Sequence, residues 1–483
     1  MKNLKIIFII VTVLGFVSCS DELSKMNIDP DIATEPNLDF LLTNNELQLL
    51  EQRYFSNFGF ADFVDIFSEF GSNFETGVLA SSNVTEYFFE QHYERSLKNL
   101  TAQILNSEDP EMVNYHSMAR IMRAYIFQRL TDTYGNIPYF DAELGYEKQI
   151  LEPAYDSQDS IYMDLLKELE ESTAAFDNSA KTPGASDIVY GGDLGKWKRF
   201  GYSLMMRVAL RMSNVRPDIA EEYVKKAYEG GAMEKTDDSF VVQYLENSDY
   251  ATTANGNAKG ILGYSNRKLS EYFINTLKNT TDPRLPFYAA LPNGDNSFAS
   301  QRGLPYFASE ADFPLDSFSM ANPNTFASFS AAFVHMSHAQ VEFMVAEAIE
   351  RGWLSGNTKD HYEEGVRSSM RLLNMYFSGG GEITDQMMDD YLQANPYNPQ
   401  NFNEALEIIS TQYWIDTYFN FCETYANWRR TDYPKLDNED YPIPYRFKYP
   451  AVEYSANSKN VKEAAESMGE DSFTQRVWWD VDK

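Results

Sequence analysis

The sequence predicts a mainly α-helical protein, and three observations carry that expectation. Apolar residues recur at helical spacing along most of the chain, as in Ile161, Leu165, Leu166, Leu169 and Phe176 of "IYMDLLKELEESTAAF" with Glu and Lys opposite. Strand-like alternation is scarce, with "SFVVQYL" (Ser239–Leu245) among the few candidates. Many helical stretches also arrive in pairs joined by short turns, such as 197–213 with 219–229 and 340–351 with 361–375.

Taken in chain order, residues 1–18 have a basic start (Lys2, Lys5), an apolar run from Ile6 to Val17 and a small residue before Cys19. That is the three-part layout of a secretory signal, with an apolar run short for a spanning helix. "FVSC" resembles the lipobox of a bacterial lipoprotein signal, in which cleavage precedes a lipidated cysteine. Cys19 is then the lipid attachment residue and the first of the mature chain. An ordinary signal peptide cleaved nearby is the alternative. Ser20-Asp21-Glu22 resembles the export signal of Bacteroidetes surface lipoproteins, although some inner-membrane retention signals also place Asp there. Residues 19–35 are polar, carry Pro30 and read as the tether, leaving 36–483 as one domain.

Within that domain, Tyr54–Gly77 is aromatic-rich and loop-like in large part. Helical spacing marks Met112–Tyr134, where Gly135 and Pro138 set the exit, and the 161–176 stretch, which Ser157 or Ser160 is placed to cap. It continues in 197–213 through Trp197, Phe200, Leu204 and Val208, in Ile219–Glu229 and in Leu269–Leu277. Gln340–Arg351, His361–Met375 and Ala405–Asn420 complete the series. "AEAIERGWLSG" followed by "YEEGVRSSM" has the character of a tetratricopeptide unit, but the spacing is too irregular for a regular solenoid. From about 230 to 335 the pattern breaks into Gly-, Pro-, Asn- and Ser-rich segments with interspersed aromatics, an irregular insertion of the kind that serves binding.

Composition narrows the function classes. Of 483 residues, 43% are hydrophobic and 15% aromatic, which is globular rather than disordered. A formal charge of −32 argues against nucleic acid and against a basic membrane-lying face, while neutral sugars and peptides stay compatible. With Cys19 lipidated, Cys422 has no intrachain partner, so no disulfide framework is expected.

Catalytic signatures are missing. His335 and His338 are spaced so that two imidazoles can share a helix face, yet no further ligands complete a metal set, and ordinary polar contacts are the expectation. No G-x-S-x-G elbow occurs, and Asp295 in "PNGDNS" lacks the alternating oxygen ligands of a calcium loop. Neither a cofactor nor a metal is expected.

Seven stretches in order carry a family resemblance: "RIMRAYIFQRLTDTYGNIPYFDA", "GDLGKWKRFGYSLMMRVALRMS", "TDPRLPFY", "AEAIERGWLSGN", "NWRRTDYP", "PYRFKYPAVEYSAN" and "VWWD". Together they resemble the SusD-like family, over about residues 27 to 483. The resemblance implies about four divergent tetratricopeptide-like helical hairpins packed against an irregular loop-rich half. It implies a non-enzymatic lipoprotein, anchored in the outer membrane and facing outward. Such a protein captures oligosaccharides or peptides as the lid of a SusC-like TonB-dependent transporter. A surface glycan hydrolase and a purely structural surface lipoprotein are the alternatives. Trp197, Trp428, Trp478 and Trp479 of the shared motifs are expected to be packed core. Candidate ligand contacts come from the irregular segments, where aromatics can stack on sugar rings: Tyr306, Phe307 and Phe313, and Phe70 and Phe74 with Asn73.

Overall fold

The computed structural model describes residues 36–50, 60–61, 64, 66–69, 82–245, 255–258, 267–305, 314–436 and 444–482. They are mainly helical, as expected. The principal helices are α1 (Leu38–Gln48), α2 (Ser82–Gln91), α3 (Lys98–Leu105), α4 (Val113–Tyr134), α5 (Gln158–Ala174), α6 (Leu194–Arg211) and α7 (Pro217–Gly230). After these come α8 (Glu271–Asn279), α9 (His338–Glu350), α10 (Thr358–Tyr376), α11 (Asp385–Ala394), α12 (Phe402–Asp416), α13 (Phe421–Thr431) and α14 (Ser458–Ser467). A π-helical turn, His92–Leu97, joins α2 to α3.

Local chemistry sets the boundaries. Asn37, Asp193, Ser270, Ser337, Asn357 and Asn401 each accept a backbone N–H in the first turn of the helix that follows. Gly135 stops α4 at φ +82°, a conformation that costs a side-chain-bearing residue. Ser157 stands at the start of α5, but its hydroxyl donates to Ser160 Oγ at 3.0 Å and no side chain caps that helix. The single helix expected over Ala405–Asn420 ends at Asp416. Residues 417–420 turn, with Phe419 at φ +72°, and α13 begins at Phe421.

Among the described residues, four pairs of packed helices are joined by short connections: α3–α4 through 106–112, α6–α7 through 212–216, α9–α10 through 351–357 and α12–α13 through 417–420. Between the first two pairs, α5 packs on both α4 and α6, and α9 packs on α12. At the centre α4 is buried nearly all round, polar residues included, so it serves as the axle of the helical half.

Among the described residues, the interval from about 230 to 335 holds most of the short strands. Paired antiparallel are β1 (Phe67–Glu69) with β5 (Arg267–Leu269), β2 (Ile137–Pro138) with β3 (Tyr155–Asp156), β4 (Phe240–Gln243) with β8 (Ala332–Met336), and β6 (Ala289–Ala290) with β7 (Met320–Ala321). Leu269, expected to start a helix, ends β5 instead, because Ser270 turns the chain and caps α8 through Phe273 N at 3.1 Å. The β4–β8 ladder realises "SFVVQYL" and lies against α6, where the Phe240 ring stacks on Phe200 at 4.1 Å. No helix among the described residues is long and apolar enough to cross a membrane.

Candidate functional site

Cys19, Phe70, Asn73, Phe74, Tyr306, Phe307 and Phe313 all lie outside the described residues, as does most of Tyr54–Gly77. The structure does fix the residues that border them. In the β1–β5 ladder Glu69 sits opposite Arg267, and Ser270 N donates to Ile66 O at 3.0 Å. Leu304 joins the same strand: its N–H donates to Leu269 O at 2.8 Å and its carbonyl accepts from Glu271 N at 2.9 Å. A Cβ on neighbouring Gly303 would run into the Ser270 carbonyl and the Glu271 backbone, so only glycine allows this approach. Ser319 O accepts from Leu269 N at 2.8 Å, and the Arg302 guanidinium lies 4.7 Å over the Phe318 ring. Tyr272, in the first turn of α8, donates its hydroxyl to Lys435 O at 2.8 Å. Strand β5 and the start of α8 thus gather residues 69, 267, 305 and 436, and the segments that follow 69 and 305 hold the six candidate contacts. Buried Lys268 lies at the middle of this ladder, its ammonium lowered by burial against an opposing effect of Asp316.

The shared motifs have a different role. Trp197 and Trp479 are fully buried, Trp428 is 8% exposed and Trp478 packs against the core. These are the scaffold positions expected of them. Asp187 accepts from Trp197 Nε1 at 2.8 Å, which fixes the "GDLGKW" turn to α6. Asp132 Oδ1 accepts from Trp479 Nε1 at 2.9 Å and from the Tyr162 hydroxyl, while Asp132 Oδ2 lies 3.2 Å from Arg211 Nε. Arg211 Nη2 also donates to both oxygens of Glu423 at 2.7 Å, and Tyr413 OH donates to Glu423 Oε1 at 2.8 Å. Burial pushes the Glu423 carboxyl up, but Arg211 and Arg207 outweigh it and hold it below the usual range.

The motif near 347 meets the one near 430 in the same way. Arg430 donates from Nη1 and Nη2 to the two oxygens of Glu347 at 2.6 and 2.7 Å, and Arg351 adds a bond at 2.8 Å. Burial opposes ionisation of Glu347, yet these two arginines bring it down to about 2. In "DPRL" Arg284 pairs with Asp282 and extends to Gln412 at 2.6 Å. The charges of the motifs are therefore spent on one another inside the protein. Sequence alone did not reveal these pairs, because partners lie up to hundreds of residues apart.

His335 and His338 do not share a helix face. His335 belongs to β8 with Nδ1 3.0 Å from Tyr125 OH, whereas His338 opens α9. His338 Nδ1 lies 3.0 Å from Ser368 Oγ and its Nε2 3.0 Å from Glu342 Oε1, and the outer His361 bonds Glu342 Oε2 at 2.7 Å. This Ser–His–Glu array superficially suits nucleophilic catalysis, but Ser368 is 0% exposed between α9 and α10 and shares its hydroxyl with Thr236. No substrate atom reaches it, so it acts as a polar clamp between two helices. Among the described residues no group of three or more His, Cys, Asp or Glu is placed to hold a metal. Asp295 is used locally, accepting from Ser297 N at 2.9 Å and Ser300 Oγ at 2.6 Å.

Comparison with known proteins agrees with the fold. A chitin-binding protein of known structure is 29% identical and superposes with a TM-score of 0.82, covering 92% of this chain and 100% of its own. A SusD-like protein from Bacteroidetes AC2a is 26% identical with a TM-score of 0.81 over 92% and 100% of the two chains. A SusD homolog from Bacteroides uniformis, 23% identical with a TM-score of 0.76, covers 92% and 99% and shares the fold. No curated protein gives a significant match. Residues 30–450 match the profile of the SusD-like family described as starch-binding and associating with the outer membrane, and the chain belongs to that family.

Proposed function

We propose that this protein is a lipid-anchored nutrient-binding subunit on the outer face of the outer membrane. It captures oligosaccharides, or peptides, and acts as the lid of a SusC-like TonB-dependent transporter. Membership of a saccharide-binding, outer-membrane-associated family across nearly the whole chain is the observation that carries this reading. The chitin-binding neighbour supports a saccharide as the first ligand to try. The gathering of four segment borders at β5 and α8 supports ligand contact by Phe70, Asn73, Phe74, Tyr306, Phe307 and Phe313, since aromatic faces stack on sugar rings and amides bond hydroxyls.

Affinity purification of the full chain from its native outer membrane in mild detergent tests the lid role. The expected result is stoichiometric recovery of a large β-barrel transporter with it. Recovery of the chain alone under conditions that preserve other outer-membrane complexes contradicts the partnership.

A further inference from the structure

Helix α1 is the first described element after the segment that leads back to Cys19; its Leu42 is buried in the core, Leu38 and Leu47 pack against it, and polar contacts add to the attachment. Asn45 Nδ2 donates to Gln103 Oε1 on α3 at 2.7 Å, Tyr115 OH on α4 donates to Asp39 Oδ1 at 2.5 Å, and Thr43 Oγ1 donates to Ser186 O at 2.6 Å. The deepest contact is Glu46, which is fully buried and accepts from Ile188 N through Oε2 at 2.8 Å.

The other oxygen, Glu46 Oε1, has no donor. Its neighbour Asp187 is already filled as an acceptor. Oδ1 takes the N–H groups of Val189 at 3.0 Å and Tyr190 at 2.9 Å, while Oδ2 takes Gly192 N at 2.9 Å and Trp197 Nε1 at 2.8 Å. Those four donors occupy the acceptor positions of its two oxygens. Two ionised carboxylates side by side in a dry site would repel, and one oxygen would stay desolvated and unpaired. A proton on Glu46 removes the repulsion and the buried, unpaired charge. We propose that tight docking of α1 depends on this proton, and that its loss at rising pH loosens α1 while the remaining helices stay packed.

Among the described residues, Asp187 is the one charged group that acts on Glu46. On α1 itself Asp39 is engaged by Tyr115 of α4, and α3 presents the neutral Gln103. From α6 come Trp197, bonded to Asp187, and Lys196, whose ammonium is 2.7 Å from Asp237 and 5.9 Å over Tyr190. No cation is paired with Glu46 among the described residues. Burial first, and the charge of Asp187 second, push the Glu46 carboxyl well above the usual carboxylate range.

The sign follows from linkage. Docked α1 binds a proton that undocked α1 releases, so docking is strongest at low pH. It weakens as pH rises from the ordinary carboxylate value, about 4.3, to the raised value of the docked state. Across that window the opening equilibrium grows by up to about tenfold per pH unit.

Hydrogen exchange on the full chain in detergent, followed from about pH 5 to pH 9 and corrected for intrinsic rates, reads this directly. In the native protein the protection of residues 38–48 is expected to fall by up to about tenfold per unit, while α9 and α10 keep theirs. In Glu46→Gln, whose amide oxygen can accept from Ile188 N and which carries no titrating proton, protection of 38–48 becomes independent of pH. Equal slopes in the two proteins, a flat profile in the native one, or parallel loss in α9 and α10 would each overturn the latch.

Discussion

Glu423→Ala is expected to destabilise the protein by about 3–5 kcal/mol, the cost of leaving a buried charge without its partner. Glu423 is 3% exposed and faces two arginines that are equally buried, Arg211 at 2.7 Å and Arg207 at 3.8 Å. Truncation removes the counter-charge of both, orphans the Tyr413 hydroxyl and opens space between α6, α12 and α13. Arg211 keeps Asp132, so the loss falls short of complete release of its charge. Denaturant unfolding followed by far-UV circular dichroism measures the change. As a control, Arg216→Ala removes the exposed pair with Asp218 at 3.4 Å and should change stability by less than about 1 kcal/mol. A loss for Glu423→Ala no larger than for the control contradicts the reading of these motifs as scaffold.

The second large effect is on location. Cys19→Ala is expected to move the protein from the outer-membrane fraction to the soluble fraction with its circular dichroism unchanged. On the proposed lipoprotein reading each buried acyl CH₂ contributes about 0.8 kcal/mol to anchoring, so losing Cys19 removes the attachment. The sequence between Cys19 and α1 is polar, and no described helix is long and apolar enough to cross a membrane. Fractionation with immunoblotting is the readout. Retention of the variant in the outer membrane at native levels contradicts the lipoprotein reading.

How much of this was legible in the sequence depends on the range of the interaction. Helical periodicity located α4, α5, α6, α7, α9 and α10 to within a few residues, because it is written in neighbours three and four apart. The 405–420 stretch misled because its apolar pattern runs on through Tyr418 and Phe419, whereas a turn at 417–420 interrupts the helix. The three-residue strands β1 and β5 were invisible, since "FSE" and "RKL" are too short to show a period and pair across some two hundred residues of chain. The same distance hid the ion pairs: Arg211 with Glu423 and Arg430 with Glu347 are fixed by tertiary packing alone. That shared tryptophans would be core was legible, because large aromatics in scaffold motifs are normally buried. The candidate loop residues rested on composition, and the structure adds only the convergence of their borders on β5 and α8.

The central claim is capture of a nutrient without altering it. Calorimetric titration of the purified chain with chitin oligosaccharides, starch oligosaccharides and short peptides, paired with chromatography of each recovered ligand, addresses it most directly. Saturable binding of one class, recovery of that ligand intact, and weakening by about 1–3 kcal/mol when a proposed stacking aromatic such as Tyr306 or Phe70 is changed to alanine are expected. Release of new reducing ends or shortened peptides, or no binding to any of the three classes, would contradict it.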